Sequence, residues 1–428
     1  MHNVGNILEI GGVQYEIAQV MPPGGFGVVY KAMPVGQPSK PVAIKVPHAH
    51  VLADAKWSKK FEREARILAN IGHPNVVRVI KFVKNPTGMY LIQEWAADAK
   101  ELSVCFPTMS DPERLSVSIQ VLFALRATHG VSVEACAIHR DLSPRNILID
   151  PSGRVKVIDF GLAKENPRIT AVLTLKGETF GTPGCIAPEQ LTEAADVDHR
   201  ADLYALGRTL AAGIQNRRPE HADISQLPEP WKGICDKLAR YVSAERHASA
   251  EEAISDLLAK FCAAGVFPSD MGLMQQEFSR WPGPPLAWTA ARTAYLLNKR
   301  PYDRKDLALA YQIPRSELAD PALQIDEFLS RLDAEVIDPH FSAALASFEE
   351  CDPLGKFLES VYGALSSQAA KEVCFRRLAK TAVLYNRYYV MTCVRSVFLG
   401  EGDQTVKTAL QNIIRTEDPS KAIHGIEQ

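Results

Sequence analysis

The spacing of apolar side chains changes period more than once along this chain. Near the amino end Val13, Tyr15 and Ile17 share a parity, a proline and glycine cluster follows, and Val28 to Ala32 resumes the alternation, which predicts a β-hairpin. Val42 to Val46 predicts another strand. The period then turns helical, because Trp57, Phe61, Glu64, Leu68 and Ile71 fall on one stripe with a single charged member. Val76 to Phe82 and Met89 to Glu94 are again strand-like. Beyond them Leu115, Ile119, Leu122 and Leu125 recur on one side of a helix that Asp111 can cap, with Pro112 in the first position and His129-Gly130 as the stop. The chain thus begins mostly as sheet and continues mostly as helix.

Val155 and Val157 alternate as a short strand, and Ser249 with Glu252 forms a capping box for a helix running through Leu257 toward Phe261. The pattern ends near Ala263. A Trp281-Pro-Gly-Pro-Pro285 cluster reads as connector, and helical periodicity returns at Leu323 to Leu332, Leu354 to Leu365 and Glu372 to Leu399. There is no internal repeat or low-complexity tract. A chain of 428 residues is too long for one ordinary core, so at least two domains are expected.

Charge narrows the classes of partner. Lysine and arginine number 48 against 50 acidic residues, a net charge of −2 that exerts no global pull on polyanions. The opening MHNVGNILEIGGVQY lacks the basic and long apolar runs of a signal peptide, and the most apolar late stretch, Thr381 to Gly400, is interrupted by Asn386, Arg387 and Arg395. No membrane span is expected. Eight cysteines (105, 136, 185, 235, 262, 351, 374 and 393) include no CxxC pair, which suits reduced thiols in a cytoplasmic protein rather than structural zinc.

Several short words carry chemistry. Gly24, Gly25, Phe26 and Gly27 sit between strand patterns, where glycines let backbone amides approach phosphate oxygens, although such a cluster is also an ordinary turn. Lys45 ends the run Val42-Ala43-Ile44-Lys45. A carboxylate at Glu64 on an apolar stripe calls for a cation, and a lysine from a neighbouring strand would supply it; a surface charge beside a misjudged stripe is the competing reading. In Ile138-His139-Arg140-Asp141-Leu142-Ser143-Pro144-Arg145-Asn146-Ile147-Leu148, Asp141 can accept the proton of an attacking hydroxyl and Asn146 can ligate a divalent cation. The strand at Val155 then delivers Asp159-Phe160-Gly161, a second hard oxygen ligand at a turn.

In this order, and with Ala187-Pro188-Glu189 following, these words resemble the signature set of the eukaryotic-like serine/threonine protein kinases of bacteria, over roughly the first three-fifths of the chain. The resemblance implies an α+β bilobal kinase fold over 1–263, with a β-rich N-lobe (1–96) and an α-rich C-lobe (97–263). A connector (264–290) and an all-α domain of unknown role (291–428) would follow. It implies ATP and Mg²⁺ as cofactors, with Mn²⁺ able to stand in. Lys45 would hold the α- and β-phosphates and Glu64 would orient it; Asn146 and Asp159 would hold the metal; Asp141 would position and deprotonate the acceptor hydroxyl. Val29, Ala43 and Leu148 would sandwich adenine, with Glu94 to Ala96 as hinge and Gln93 as gatekeeper. Glu189 should pair with Arg246, and Asp202 should brace the catalytic loop.

The pattern departs from the family in places. Pro22 replaces the first glycine of the phosphate loop and should stiffen the entering strand. Ser143 replaces a lysine that touches the γ-phosphate, and Arg145, four residues after Asp141, is the expected substitute. Cys185 replaces an aromatic in Gly181-Thr182-Pro183-Gly184-Cys185-Ile186-Ala187-Pro188-Glu189-Gln190, a stretch similar to the serine/threonine-type activation loop, and should make the peptide-docking surface smaller. The resemblance also implies a phosphate-bearing activation segment facing Arg140, with Thr170, Thr174 and Thr179 as candidates and Thr182 beside the catalytic aspartate.

From Ala264 onward no family is recognised. Asp306 to Leu318 has the look of a helix-turn-helix, yet the 18 basic residues against 21 acidic ones from Ala264 to the end oppose DNA binding. A helical domain that docks on a protein partner or a second copy is the preferred reading. An active kinase with a protein substrate leads the functional alternatives; a silent scaffold and a transferase acting on small molecules or attaching nucleotide are the others. Retention of Lys45, Asp141, Asn146 and Asp159 argues against the scaffold.

Overall fold

Six antiparallel strands form the first sheet: β1 (Ile7–Ile10), β2 (Val13–Val20), β3 (Gly27–Pro34), β4 (Val42–Pro47), β5 (Val79–Asn85) and β6 (Gly88–Glu94), in the order β1-β2-β3-β4-β6-β5. The structure is a computed structural model and describes residues 2–24, 27–37, 40–53, 55–86, 88–130, 137–160, 182–192, 197–281, 286–298, 304–313, 318, 324–342, 346–385 and 387–418. The chain divides into two units, Met1–Ser269 and Asp270–Gln428.

The predicted alternation decides which face of the sheet is buried. Ile10, Tyr15, Ile17, Val28, Tyr30, Val42, Ile44 and Ile92 form one core cluster. Register places Val29 opposite Lys45, Ala43 opposite Gln93 and Lys45 opposite Leu91, so these five side chains share a second face. Helix α1 (Ala55–Ala69) buries Phe61, Ala65 and Leu68, and the Phe61 ring lies 5.8 Å from Phe82 of β5. Ile71, read as the end of this stripe, falls beyond the helix, where Gly72 and the restriction that Pro74 places on His73 stop it. Strand β5 starts at Val79 rather than Val76, because residues 75–77 pair elsewhere: Val77 N–H donates to the Val157 carbonyl (3.0 Å) and Val157 N–H to that of Asn75 (2.8 Å).

The rest of the first unit is helical around a small sheet of β7 (Lys100–Glu101), β8 (Ile147–Ile149) and β9 (Val155–Val157). Helix α2 (Asp111–His129) ends at Gly130, whose φ of 68° favours glycine. Its cap is Ser110, not Asp111: Ser110 and Glu113 form a capping box, while the Asp111 carboxylate accepts from Trp231 Nε1 at 2.9 Å. Helices α3 (Arg200–Gln215), α4 (Trp231–Leu238) and α5 (Ala250–Ala263) follow. Ser249 caps α5 as predicted, though the Glu252 carboxylate reaches back to the Ala248 N–H rather than that of Ser249.

The second unit contains α6 (Met271–Phe278), α7 (Leu286–Asn298), α8 (Arg304–Ala310), α9 (Ile325–Leu332), α10 (Phe348–Tyr362), α11 (Gln368–Leu384), α12 (Tyr388–Gly400) and α13 (Gln404–Glu417). The stretch read as connector carries α6 and the start of α7, where Phe278 stacks on Trp288 at 4.6 Å and both are fully buried. Glu372 to Leu399, read as one helix, falls in two, with α11 ending at Leu384 and α12 beginning at Tyr388. The break lets both apolar segments find cores, and Arg387 at the turn pairs with Asp352 (Nε to Oδ1 3.0 Å). Of the helix-turn-helix reading, α8 is described and residues 314–317 lie outside the described residues. Among the described residues no helix is long and apolar enough to cross a membrane, and the seven described cysteines are free thiols.

Candidate active site

Backbone hydrogen bonds to one buried carboxylate fix the loop that bears Asp141. Asp202, in the first turn of α3, accepts from the His139 N–H and the Arg140 N–H, each at 2.8 Å, and lies 2.9 Å from His129 Nε2. Burial pushes the Asp202 carboxyl up, but the His129 hydrogen bond and the surrounding donors bring it below the usual carboxylate range. The two amide bonds hold Arg140 at φ 61°, a left-handed conformation that a non-glycine residue adopts only when its surroundings enforce it.

His139 is wholly buried and its partners define its tautomer. Its Nε2 lies 2.9 Å from the Ile158 carbonyl, which can only accept, and its Nδ1 receives the Asp141 N–H at 3.3 Å. The ring is therefore neutral with the proton on Nε2, in keeping with the downward shift that burial imposes on it. It also stacks at a tilt on Phe160, with centroids 4.6 Å apart.

The polar residues singled out in the sequence converge here. Asn146 Nδ2 donates to the Asp141 carbonyl (2.8 Å), and the Asn146 carbonyl receives the Ile158 N–H (2.9 Å), which sets Asn146 beside the residue that precedes Asp159. Asp159, at φ 54°, accepts from Lys45 Nζ at 2.9 Å. Burial pushes the Asp159 carboxyl up, and the Lys45 ammonium with its hydrogen bond more than offsets this, leaving it below the usual range. One Asp141 carboxylate oxygen receives the Thr182 N–H at 3.3 Å.

These bonds leave the Asn146 amide oxygen and the second Asp159 carboxylate oxygen without a described partner. Two hard oxygen donors at the mouth of a strand hairpin suit a small divalent cation such as Mg²⁺.

Val29, Ala43 and Leu148 are each half-buried between fully buried strand neighbours, as residues lining an open cleft would be. The Glu94 carboxylate is taken by Lys156 Nζ (2.6 Å) and the Arg78 N–H (2.9 Å), and Ala96 beyond it is half-buried. Gly24 N–H donates to the Gly27 carbonyl (3.0 Å). A Cβ at Gly27 would lie 2.3 Å from the Val46 carbonyl oxygen, so close approach of β3 to β4 requires glycine.

Other expected residues fall differently. Gly25, Phe26, Thr170, Thr174 and Thr179 lie outside the described residues, and Glu64 is described in backbone only, on α1. Arg145 is exposed and forms no ion pair with any described residue. Cys185 turns inward, its Sγ 3.6 Å from Thr209 Oγ1, and burial pushes its thiol up to about 12. Glu189 pairs bidentately with Arg246 at 2.6 and 2.8 Å. Gln190, which closes the activation-loop stretch, donates from Nε2 to the Arg140 carbonyl at 3.1 Å. Sequence reasoning missed the roles of His129 and Lys156, which no short word marks.

The protein kinase domain family matches residues 15–265. The chain belongs to the protein kinase family. Its kinase domain is similar to the serine/threonine-protein kinase pkn2 of Myxococcus xanthus, at 31% identity over 288 residues covering 60% of this chain and 34% of that protein. Pkn1 of the same organism is 40% identical over 193 residues, 43% of this chain and 26% of that protein. The probable serine/threonine-protein kinase PknB of Bifidobacterium longum is 28% identical over 280 residues, 58% of this chain and 40% of that protein. This kinase chain thus spans well under half the length of these curated relatives. Among solved structures, the kinase domain of Mycobacterium tuberculosis PknI aligns with a TM-score of 0.46 at 24% identity, over 60% of this chain and 98% of that one.

Proposed function

We propose that this kinase domain transfers the γ-phosphoryl group of ATP to a serine or threonine hydroxyl of a protein. The observation that supports it best is the convergence of four residues: Lys45 bonds Asp159, Asn146 bonds the Asp141 carbonyl of the same loop, and the Ile158 N–H next to Asp159 bonds the Asn146 carbonyl. In this reading the Asp141 carboxylate orients the acceptor hydroxyl and takes its proton. Asn146 and Asp159 hold Mg²⁺, which when bound neutralises charge on the transferred phosphoryl. Lys45, already on the cleft face of β4, neutralises the phosphates nearer the base. Val29, Ala43 and Leu148 bracket adenine, and the backbone of Glu94 to Ala96 meets its edge.

The named relatives are serine/threonine kinases, which supports the same acceptor class here. ATP labelled at the γ or the α position, offered with Mg²⁺ and a generic protein acceptor, tests the reading. Label should pass from the γ position to serine and threonine and disappear with Asp141→Asn. Transfer of α label, or none from the intact chain, would overturn it. Autophosphorylation of Thr170, Thr174 or Thr179 belongs to the same proposal and is read by phosphosite mapping against the Asp141→Asn chain.

A further inference from the structure

Gln190 has a pair of bonds that the reading above leaves unused. It stands in the short helix Pro188–Thr192, next to Glu189, whose carboxylate is paired with Arg246. Its Oε1 accepts from the Ala187 N–H at 3.1 Å, the return half of a capping box, and its Nε2 donates to the Arg140 carbonyl at 3.1 Å. These partners fix the orientation of the carboxamide, since an N–H calls for its oxygen and a carbonyl for its nitrogen.

The Arg140 carbonyl and the Asp141 N–H are the two ends of one planar trans peptide, and the Cα that bears the Asp141 side chain lies in the same plane. Gln190 holds the carbonyl end, and His139 Nδ1 receives the N–H end at 3.3 Å. A planar unit held at both ends resists rotation about the chain. The activation-loop stretch meets this unit at each of its own ends: the Thr182 N–H bonds the Asp141 carboxylate, and Gln190 bonds the carbonyl before it. We infer that Gln190 is a positioning residue for phosphoryl transfer, which acts through the Arg140–Asp141 peptide to aim the catalytic carboxylate; the inference rests on the kinase reading of Asp141. A carboxylate displaced by about 1 Å is enough to lower turnover by roughly 100-fold.

Two variants separate this role from support of the fold. Gln190→Glu keeps the acceptor for the Ala187 N–H and removes the donor, and Gln190→Met keeps the length and removes both groups without adding charge. Phosphoryl transfer to a generic protein acceptor is measured together with the dissociation constant of ATP in the presence of Mg²⁺. In both variants kcat should fall by about tenfold or more while ATP binding stays within about twofold of the parent chain. Without nucleotide, the amide resonance of Asp141 in the nitrogen–proton NMR spectrum should move, because its own carbonyl has lost a donor. The resonances of His139 and Arg140, whose amides are held by Asp202, should stay in place.

An unchanged kcat in either variant would overturn the inference. So would variants that fail to fold, or in which all three resonances move and ATP binding falls along with kcat, since Gln190 would then support the lobe as a whole. If the parent chain transfers no phosphate, the kinase reading fails and the role of Gln190 fails with it, whatever the spectra show.

Discussion

Arg145 and Asp202 illustrate two different ways for a single side chain to matter. Arg145 is exposed and unpaired among the described residues, four positions after Asp141, so its removal should leave folding alone. If it replaces the cation missing at Ser143, Arg145→Ala lowers kcat by about 10- to 100-fold with an unchanged melting temperature; unchanged turnover would end that idea. Asp202 is the opposite case, fully buried and bonded to two backbone amides. Asp202→Asn presents an N–H2 where one amide needs an acceptor, and urea denaturation should show a loss of about 2–4 kcal/mol. The sequence made Asp202 and Arg246 legible because each completes a family word. His129 and Lys156 were not, because their roles depend on which distant carboxylates, Asp202 and Glu94, they meet.

Helices and strands were read best where the period was long and unbroken, as in α2 and α5, and worst where a local bond competed with it. Ser110 displaced Asp111 as cap because Glu113 completes a box with it, and Val76 left β5 because β9 offered its backbone a partner. Strand approach also dictates residue type: Gly27→Ala drives a Cβ toward the Val46 carbonyl and should cost about 1–3 kcal/mol by denaturant titration, with weaker ATP binding. In the second unit, the end of α12 is held to α10 and α11 through Glu401. Burial pushes its carboxyl up, but hydrogen bonds from Tyr362 (2.6 Å), the Asp403 N–H and Lys371 (3.0 Å) outweigh this and lower it to about 2. The stabilisation is complete above the unfolded value of 4.5 and is lost as pH falls toward 2. Glu401→Gln should therefore cost on the order of 2–3 kcal/mol at pH 7 and almost nothing near pH 2, compared with the parent chain under each condition.

At the scale of the whole chain, the near-neutral charge conceals how the basic residues of the second unit are used. Lys371, Arg376, Arg377 and Arg387 each pair with an acid of the same unit, Glu401, Glu417, Asp333 and Asp352 in turn. Each such pair withdraws a cation from a phosphate backbone, and fluorescence anisotropy with duplex DNA at 150 mM salt, about physiological strength, should give a dissociation constant weaker than about 10⁻⁴ M. The kinase domain could be read from short words in fixed order. The helical unit offered only periodicity, which gives helices but neither their breaks nor their ion pairs.

The anchorage of residues 139 and 140 on Asp202 has a consequence in time as well as in space. Both amide protons point into a carboxylate that water does not reach, so neither can swap for deuterium until α3 comes apart. They should rank among the slowest to exchange, at rates set by loss of the whole first unit rather than by motion around the cleft.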